Sequence, residues 1–281
     1  MHKSTVLRSK STIELAANGV FQIRITTAGD AERKRIAKPI RLRAIGEREN
    51  GVTVAQIRFR TRHGHNLREF FSWSDLLSEN RKTIKNRLAD LGYEWPSDGT
   101  LSQAILDALE QSRPKRTFLL VRAPGWYGSA FAIPGQAFAP GEDGTEVYID
   151  PNSDAHVGAF IRGEGSLKDW QERVAKPSRK SSRLRLSIAA ALAAPFLRKL
   201  GMDSFGINWF SDTSDGKTLC LVVAASIAGL AGDEGLPCWA DSEAGLEAIA
   251  RGHRDCVMPL DESADGEHQM PLEKKSHMVA S

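Results

Sequence analysis

The chain has 281 residues, of which 41% are hydrophobic and 26% charged, so it can hold one large domain or two domains of ordinary size. Its longest apolar stretches, 188–197 and 219–230, are shorter than the about 18 to 20 residues that a membrane-spanning helix needs. The N-terminus is basic and lacks the apolar segment of a secretion signal. These features exclude an integral membrane protein and predict a globular, cytoplasmic protein without a membrane partner.

The formal net charge of +3 hides an uneven distribution along the chain. Residues 1–95 contain 19 Lys and Arg against 10 Asp and Glu, whereas residues 231–281 contain 4 against 11. A basic first third beside an acidic last fifth indicates either attraction within the chain or a surface for a polyanion such as nucleic acid.

The cysteines and histidines follow no catalytic or metal-binding motif. Cys220, Cys238 and Cys256 are odd in number, widely spaced and set among apolar residues, which predicts buried free thiols in a reducing compartment. His63 and His65 lie between two strand-like runs, a pattern that favours a hairpin turn over a metal site. The sequence contains neither Gly-x-Ser-x-Gly nor His-Glu-x-x-His, so hydrolase and metalloprotease activities have no support.

Residues 1–18 show no periodicity and are predicted to form a frayed tail, followed by an N-terminal α+β domain over 19–142. Three runs of this domain largely alternate apolar and polar residues, which is the period of strands with one solvent-facing side. These runs are 21–25, 40–44 and 54–60. Apolar residues at helical spacing predict two helices, 76–91 and 101–109, that cover the sheet.

The solvent-facing side of the predicted sheet carries a stripe of arginines. Its members are Arg24, Arg41, Arg43, Arg58 and Arg60. Such a stripe is either a contact surface for nucleic-acid phosphates or a solvated face that promotes solubility, and both interpretations stay open. Four aromatic residues interleave with the same region, and their positions near element ends favour core packing over base stacking. They are Phe70, Phe71, Trp73 and Tyr93.

Residues 143–164 are rich in Gly, Asp and Pro, which is typical of a connection between domains. A second domain is predicted over 165–281, and its first residues, 165–170, have the pattern of a capped helix start. The run 176–185 contains five basic residues and leads into an Ala-rich helix over 184–200. We interpret this run as a solvated helix entry in preference to a phosphate contact.

Residues 206–218 have the pattern of a strand that ends in a phosphate-binding loop. An apolar run over 206–210 passes into a polar loop that closes with Gly-Lys-Thr. A helix-like segment follows over 219–228, so the Gly-Lys-Thr is expected at a helix N-terminus, where backbone N–H groups and the helix dipole favour an anion. The candidate nucleotide-binding residues are Ser211, Asp212, Thr213, Ser214, Asp215, Gly216, Lys217 and Thr218.

Two features depart from the phosphate-binding pattern. Ser211 stands where the pattern has glycine, which is favoured there because the loop turns with unusual φ angles and approaches the phosphates closely. Asp212 and Asp215 add negative charge that opposes an anionic ligand unless their side chains point outward. The sequence therefore supports the conformation of the loop more strongly than its affinity.

A second apolar run, 256–260, is closed by the carboxylates Asp261 and Glu262. Such a run is typical of a buried parallel strand that delivers Asp261 to a magnesium ion and Glu262 to the water that attacks a γ-phosphate. Order and spacing of the loop and this run together predict a nucleoside-triphosphate site, in which Lys217 and Glu262 act in catalysis.

Several separated motifs occur in the order found in one protein family. They are Gly125-Trp126-Tyr127-Gly128 with Phe131-Ala132-Ile133-Pro134; Gly165-Ser166-Leu167-Lys168-Asp169-Trp170; Ser182-Arg183-Leu184; the loop through Gly216-Lys217-Thr218; Gly245-Leu246-Glu247; and His253-Arg254-Asp255 leading to Leu260-Asp261-Glu262. By these motifs the chain resembles, over most of residues 20–281, the bacterial and phage family catalogued as domain of unknown function 927.

The resemblance implies a P-loop ATPase that occurs with primase or helicase modules of mobile elements. Under it, Lys217 and Thr218 hold the β/γ-phosphates and Mg²⁺, Asp261 supports the Mg²⁺, and Glu262 polarises water. Family members continue well past the Leu-Asp-Glu motif, so we expect a chain truncated after its Walker B motif, with part of its ATPase core supplied elsewhere or missing.

The predicted fold class is α/β, with an N-terminal α+β domain built on a basic antiparallel sheet, followed by the first half of a P-loop NTPase (RecA/AAA-like) parallel-sheet domain. The predicted function is ATP hydrolysis that drives work on DNA, with homo-oligomer formation in the full-length family. Two alternatives stay open. One is an ATP-binding switch or adaptor without turnover, and the other is a nucleic-acid-binding N-terminal domain beside a degenerate ATPase half.

Overall fold

The computed structural model describes residues 11–26, 29–77, 81–138, 144–153, 165–210, 216–229, 236–238 and 242–261. The chain forms two compact units, residues 1–120 and 121–281. Both units combine helices with strands in antiparallel and mixed sheets, so this is a mixed α/β protein. None of the helices in the described ranges is long and apolar enough to cross a membrane. Of the predicted connection over 143–164, residues 144–153 are described and include a strand, Glu146–Ile149, so this part is not a plain linker; the remainder lies outside the described residues.

The first unit is built on two sheets. Its strands are β1 (Ser11–Ala16), β2 (Gly19–Ile25), β3 (Ala31–Ala37), β4 (Ile40–Arg48), β5 (Thr53–Arg60), β6 (Asn66–Ser72) and β7 (Thr117–Val121). β1, β2 and β3 form an antiparallel meander. In the other sheet β4, β5 and β6 pair antiparallel, and β7 pairs parallel to β4. The three runs that alternate apolar and polar residues are therefore strands, as predicted.

β1 corrects the prediction of a frayed tail over residues 1–18. Its residues pair with β2 in continuous register, from Ser11 opposite Arg24 to Ala16 opposite Gly19. Only Ile13 and Leu15 alternate in this strand, which is too short a pattern to separate it from a polar tail. The strand forms because β2 supplies a backbone partner along its whole length. Residues 1–10 lie outside the described residues.

One face of the β4-β5-β6 sheet is buried beneath three helices, α1 (Trp73–Leu77), α2 (Lys82–Asp90) and α3 (Gly99–Gln111). Alternate residues of each strand point into this core, and apolar residues at helical spacing face them from the helices. Fully buried members of the core include Ile40, Ile57, Leu76, Ile84, Leu88, Ile105 and Leu109. α3 begins at a side-chain cap, because the Asp98 carboxylate accepts a hydrogen bond from the Thr100 N–H (2.8 Å).

Aromatic side chains pack inside this unit, as predicted, and do not form a stacking surface. Phe71 and Tyr93 belong to the core, and Trp73 packs against it. The Phe70 ring lies 5.5 Å from that of Phe118. Burial raises the pKa of the Tyr93 phenol above its ordinary value, so this hydroxyl stays protonated at physiological pH.

β4 and β7 approach each other so closely that one residue of β4 must lack a side chain. Gly46 pairs with Phe118, and a Cβ atom on Gly46 would lie 2.1 Å from the Phe118 carbonyl oxygen and 2.6 Å from its ring. Both contacts are far inside van der Waals distance, and the nearer one is to backbone, which cannot move without breaking the strand pairing. Glycine therefore sets the spacing of the parallel pair.

The second unit contains short strands and a series of helices. Its described strands are β8 (Gly125–Tyr127), β9 (Ala130–Ile133), β10 (Gln136–Phe138) and β11 (Glu146–Ile149), of which β8, β9 and β10 form an antiparallel sheet. Its described helices are α4 (Leu167–Trp170), α5 (Lys176–Ser178), α6 (Ser182–Leu197), α7 (Lys217–Ile227) and α8 (Glu243–Gly252). A π-helical turn joins α4 to α5, and α6 packs against α7.

The two parallel strands that the sequence predicts around the nucleotide site are not formed as strands. Residues 202–210 have no strand pairing, and the Phe210 side chain is 86% exposed. The run 256–260 ends in a single parallel bridge between Cys238 and Asp261. A buried parallel strand needs neighbours on its edges and cover on both faces, which the described residues do not give to either run. This bridge is the single parallel pairing among the described residues of the second unit's expected sheet.

Gly46→Ala is expected to destabilise the protein by about 2–3 kcal/mol, because the added methyl group collides with the β7 backbone. Gly99→Ala is the matched control, since Gly99 opens α3 and no atom lies within 4 Å of its added Cβ. Urea unfolding followed by circular dichroism measures both variants. Equal midpoints for the two would contradict the steric role of Gly46.

Candidate functional site

The end of the predicted phosphate loop lies at the start of α7. Gly216 is the N-cap and has φ +78°, a left-handed conformation that disfavours any side chain. Lys217 and Thr218 are the first two helical residues, two positions earlier than the predicted start at residue 219. The Cys220 N–H donates to the Gly216 carbonyl (3.1 Å), which begins the helical ladder. The first N–H groups of the helix have no acceptor within it, which is the arrangement that binds anions at helix N-termini.

Residues beyond the first turn hold α7 in place, while its N-terminus is exposed. Val223 and Ala225 are buried, and the Trp170 indole N–H donates to the Ser226 hydroxyl (2.9 Å). Thr218 is exposed, and Leu219 is 53% exposed. Packing therefore fixes the helix while the hydroxyl of Thr218 faces solvent, where a ligand can reach it.

The other end of the predicted site is Asp261. Its N–H donates to the Pro237 carbonyl (2.8 Å) next to the parallel bridge with Cys238, and α8 lies between the two bridged segments along the chain. A helix between two segments that meet in a parallel bridge has the chain order of a β-α-β unit, although neither segment forms a strand here. Residues 211–215 and Glu262 lie outside the described residues, so the structure gives no account of those site residues.

The predicted arginine stripe divides between two sheets. Arg41, Arg58 and Arg60 are exposed on one face of β4 and β5. Arg24 lies on β2 in the other sheet, opposite Glu32. Arg43 is half-buried at an irregularity of β4, where the pairing register shifts between residues 42 and 44. Three of the five arginines are thus brought together, and two are placed elsewhere.

A buried carboxylate, which the sequence shows only as part of a motif without an assigned role, organises the second unit. Asp255 accepts a hydrogen bond from the Trp126 N–H (2.9 Å) and another from the Arg198 Nε (2.9 Å). Its side chain is 7% exposed. The second nitrogen of the same guanidinium donates to the Trp126 carbonyl (2.8 Å). One carboxylate and one guanidinium therefore satisfy both backbone groups of Trp126.

The close approach of Asp255 to β8 depends on a glycine and on a left-handed residue. A Cβ on Gly125 would lie 2.4 Å from the Asp255 Oδ2, and Gly125 itself has φ +119°. Asp255 has φ +56°, a conformation that aspartate tolerates better than most residues. The Gly-Trp-Tyr-Gly and His-Arg-Asp motifs of the sequence are thus two sides of one contact.

Cations complete the cluster around β8. Lys199 donates to the Gly128 carbonyl (2.6 Å), and its ammonium lies 4.7 Å from the centre of the Trp126 ring. The Arg254 guanidinium lies 4.8 Å from the centre of the Tyr127 ring. The cluster joins β8, the segment directly after α6 and the segment that leads to Asp261.

Two titratable groups lie next to this cluster in the sequence, and desolvation shifts the pKa values of both. Burial lowers the pKa of His253, whose Nδ1 lies 2.7 Å from the Ile249 carbonyl oxygen. Burial, with a contribution from the Asp255 carboxylate, raises the pKa of the Cys256 thiol to about 12. Both shifts favour the neutral form of the group. Across the described residues, no three His, Cys, Asp or Glu side chains converge as metal ligands.

Asp255→Ala is expected to destabilise the second unit by about 2–4 kcal/mol, because it removes a buried charged acceptor from a backbone N–H and a guanidinium. Glu172→Ala is the control, since Glu172 forms an exposed pair with Lys176 and its loss should cost about 0.5 kcal/mol or less. Urea unfolding followed by tryptophan fluorescence measures both. A midpoint for Asp255→Ala equal to that of the control would contradict the role of the cluster.

Comparison with known proteins gives one family. The sequence profile catalogued as domain of unknown function 927 matches residues 13–274. A comparison with curated proteins returned no match. The matched range covers both compact units, including the β8 cluster, the start of α7 and the bridge at Asp261. The chain therefore belongs to the domain of unknown function 927 family.

Proposed function

We propose that the chain binds ATP with Mg²⁺ at residues 211–218 and is part of a P-loop ATPase that acts on nucleic acid, with DNA favoured. The observation that carries the proposal is the left-handed Gly216 directly before a helix that opens with Lys217 and Thr218. A glycine with positive φ lets the backbone turn tightly around a phosphate, and the helix that follows points its N–H groups at it. The connectivity that follows α7 and ends at Asp261 agrees with such a domain.

Each residue of the proposed site has a role that suits its chemistry. The Lys217 ammonium and the backbone N–H groups of the loop bind the β- and γ-phosphates and stabilise charge on the transferred phosphoryl group. The Thr218 hydroxyl and the Asp261 carboxylate are hard oxygen ligands, which suit Mg²⁺. When bound, Mg²⁺ neutralises charge on the phosphates. Glu262 orients the attacking water.

A second function, nucleotide binding without turnover, is favoured by the composition of the loop. Ser211 replaces the usual glycine, and Asp212 and Asp215 add negative charge beside the phosphates. These residues weaken the electrostatic stabilisation of a transition state more than they weaken binding through Lys217. In that case the protein is a nucleotide-dependent switch or adaptor for a primase or helicase module or for copies of itself.

Titration of a fluorescent ATP analogue with Mg²⁺ into the full chain tests the nucleotide site. We expect Lys217→Ala to weaken binding at least about tenfold, since a charged contact to phosphate is worth about 1.5–3 kcal/mol. Lys168→Ala, at an exposed lysine of α4, is the matched control and should bind like the wild type. A wild-type chain that is folded by circular dichroism yet binds no nucleotide would overturn the proposal.

Phosphate release from the same protein separates the ATPase from the switch. Under the ATPase, Glu262→Gln retains nucleotide affinity and loses hydrolysis, because the amide cannot accept the proton of water. Under the switch, wild type and Glu262→Gln release phosphate at the same background rate while both bind ATP.

A further inference from the structure

The exposed face of the β4-β5-β6 sheet carries a row of arginines that crosses all three strands. Arg41 of β4 pairs directly with Arg58 of β5, and Arg58 pairs directly with Arg68 of β6. Directly paired residues point to the same face, and Arg60 joins them because it lies two residues after Arg58. All four side chains are exposed. We call these residues the arginine row; Arg68 was not part of the predicted stripe.

The arginine row concentrates like charge where a sheet normally avoids it. Cross-strand neighbours have Cβ atoms only about 5 Å apart, and like charges in such pairs are destabilising. Within the part of the chain that the structure describes, the side chains of Arg41 and Arg58 form no hydrogen bond or ion pair with another residue; only their backbones pair, within the sheet. The repulsion between these neighbours is relieved when an anion lies over the row.

Four other basic residues of the first unit have acidic partners. Arg33 pairs with Glu14 (2.8 Å), Lys38 with Glu94 (2.9 Å) and Arg87 with Glu69 (3.3 Å). Arg81 contacts both Asp107 and Glu110. Five carboxylates of the first unit are therefore paired with cations that lie outside the row.

The arginine row borders a concave surface large enough for part of a nucleic-acid strand. A pocket of about 560 Å³ is lined by all four arginines together with Ala16, Ala17, Pro39 and Asn66. This volume is on the scale of sites for drug-sized ligands, about 300–1,000 Å³. Leu67, which is 38% exposed, is the exposed large apolar residue among the described pocket walls, and the guanidinium groups are the charged binding groups of the pocket.

We infer that the arginine row binds the phosphate backbone of nucleic acid without reading its sequence. Guanidinium groups form paired hydrogen bonds with phosphate, and successive strands place them at steps of about 4.8 Å, which suits a linear polyanion better than one isolated phosphate. Base stacking needs an exposed aromatic ring. Phe59, the aromatic residue among the described pocket walls, is 3% exposed, so the site offers contacts to backbone only.

This inference deepens the proposed function and rests on it for the class of partner, but it involves only residues of the first unit. Binding is therefore measured without nucleotide, so the two proposals can fail separately. If the arginine row is the DNA site, Lys217→Ala loses ATP binding and still binds DNA. A variant of the arginine row loses DNA binding and still binds ATP.

Fluorescence anisotropy tests the inference. A labelled 20-nucleotide single-stranded DNA is titrated with the full chain at a series of salt concentrations. We expect Arg58→Ala, at the centre of the row, to weaken binding about five- to tenfold on every sequence tried and to lower the slope of log K against log salt by about 0.7. Arg24→Ala is the matched control, because Arg24 is an exposed strand arginine of the other sheet opposite Glu32. It should leave both quantities unchanged.

Several results would overturn the arginine row as a nucleic-acid site. The first is a folded wild-type chain that binds no DNA, and the second is an equal loss of DNA affinity in Arg24→Ala and Arg58→Ala. The third is a DNA affinity that depends strongly on base sequence. The fourth is displacement of DNA by micromolar pyrophosphate at constant ionic strength, which would assign the pocket to a small phosphorylated ligand. Arg58→Lys guards against misfolding, because it keeps the charge and should retain most of the salt slope.

Discussion

The Asp255 carboxylate ties together three segments of the second unit that are far apart in the sequence. It accepts from the Trp126 N–H and from Arg198, and Arg198 in turn donates to the Trp126 carbonyl. Its low exposure makes each of these bonds stronger than it would be in water, and makes the loss of any partner costly. The segment that leads to Asp261, the proposed metal ligand, follows this contact directly along the chain.

The pattern of one strand does not specify which other strands it pairs with. For this reason only part of the first unit could be predicted from the sequence. Alternation identified β2, β4 and β5, because each has one apolar and one polar face. β6 escaped this reading because its pattern is inverted, with Leu67 38% exposed and Glu69 buried beside Arg87. Arg68 was missed for that reason. Arg24 and Arg43 were grouped with the stripe because neither the division into two sheets nor the register shift in β4 leaves a mark on the sequence.

The candidate nucleotide site was predictable where the signal is local. Glycine before Lys-Thr and a helix after it are short-range features, and Gly216 and α7 follow them closely. The flanking strands were not predictable in the same way, because a parallel strand is defined by neighbours that come from elsewhere in the chain. The apolar run 206–210 is consistent with a buried strand in sequence, yet Phe210 is exposed because no described segment pairs with it. The Asp255 cluster was visible only as two motifs without an assigned contact.

The two anion sites proposed for this chain use positive charge in different ways, and this difference has a measurable consequence. At the start of α7 the ligand meets backbone N–H groups, a helix dipole and one lysine, so few ions are released when it binds and affinity depends weakly on salt. On the arginine row several full charges face a polyanion, and each phosphate contact releases counterions, so affinity falls steeply with salt. Raising the salt concentration should therefore remove nucleic acid while nucleotide stays bound. A protein built in this way can exchange its nucleic-acid partner without losing its nucleotide.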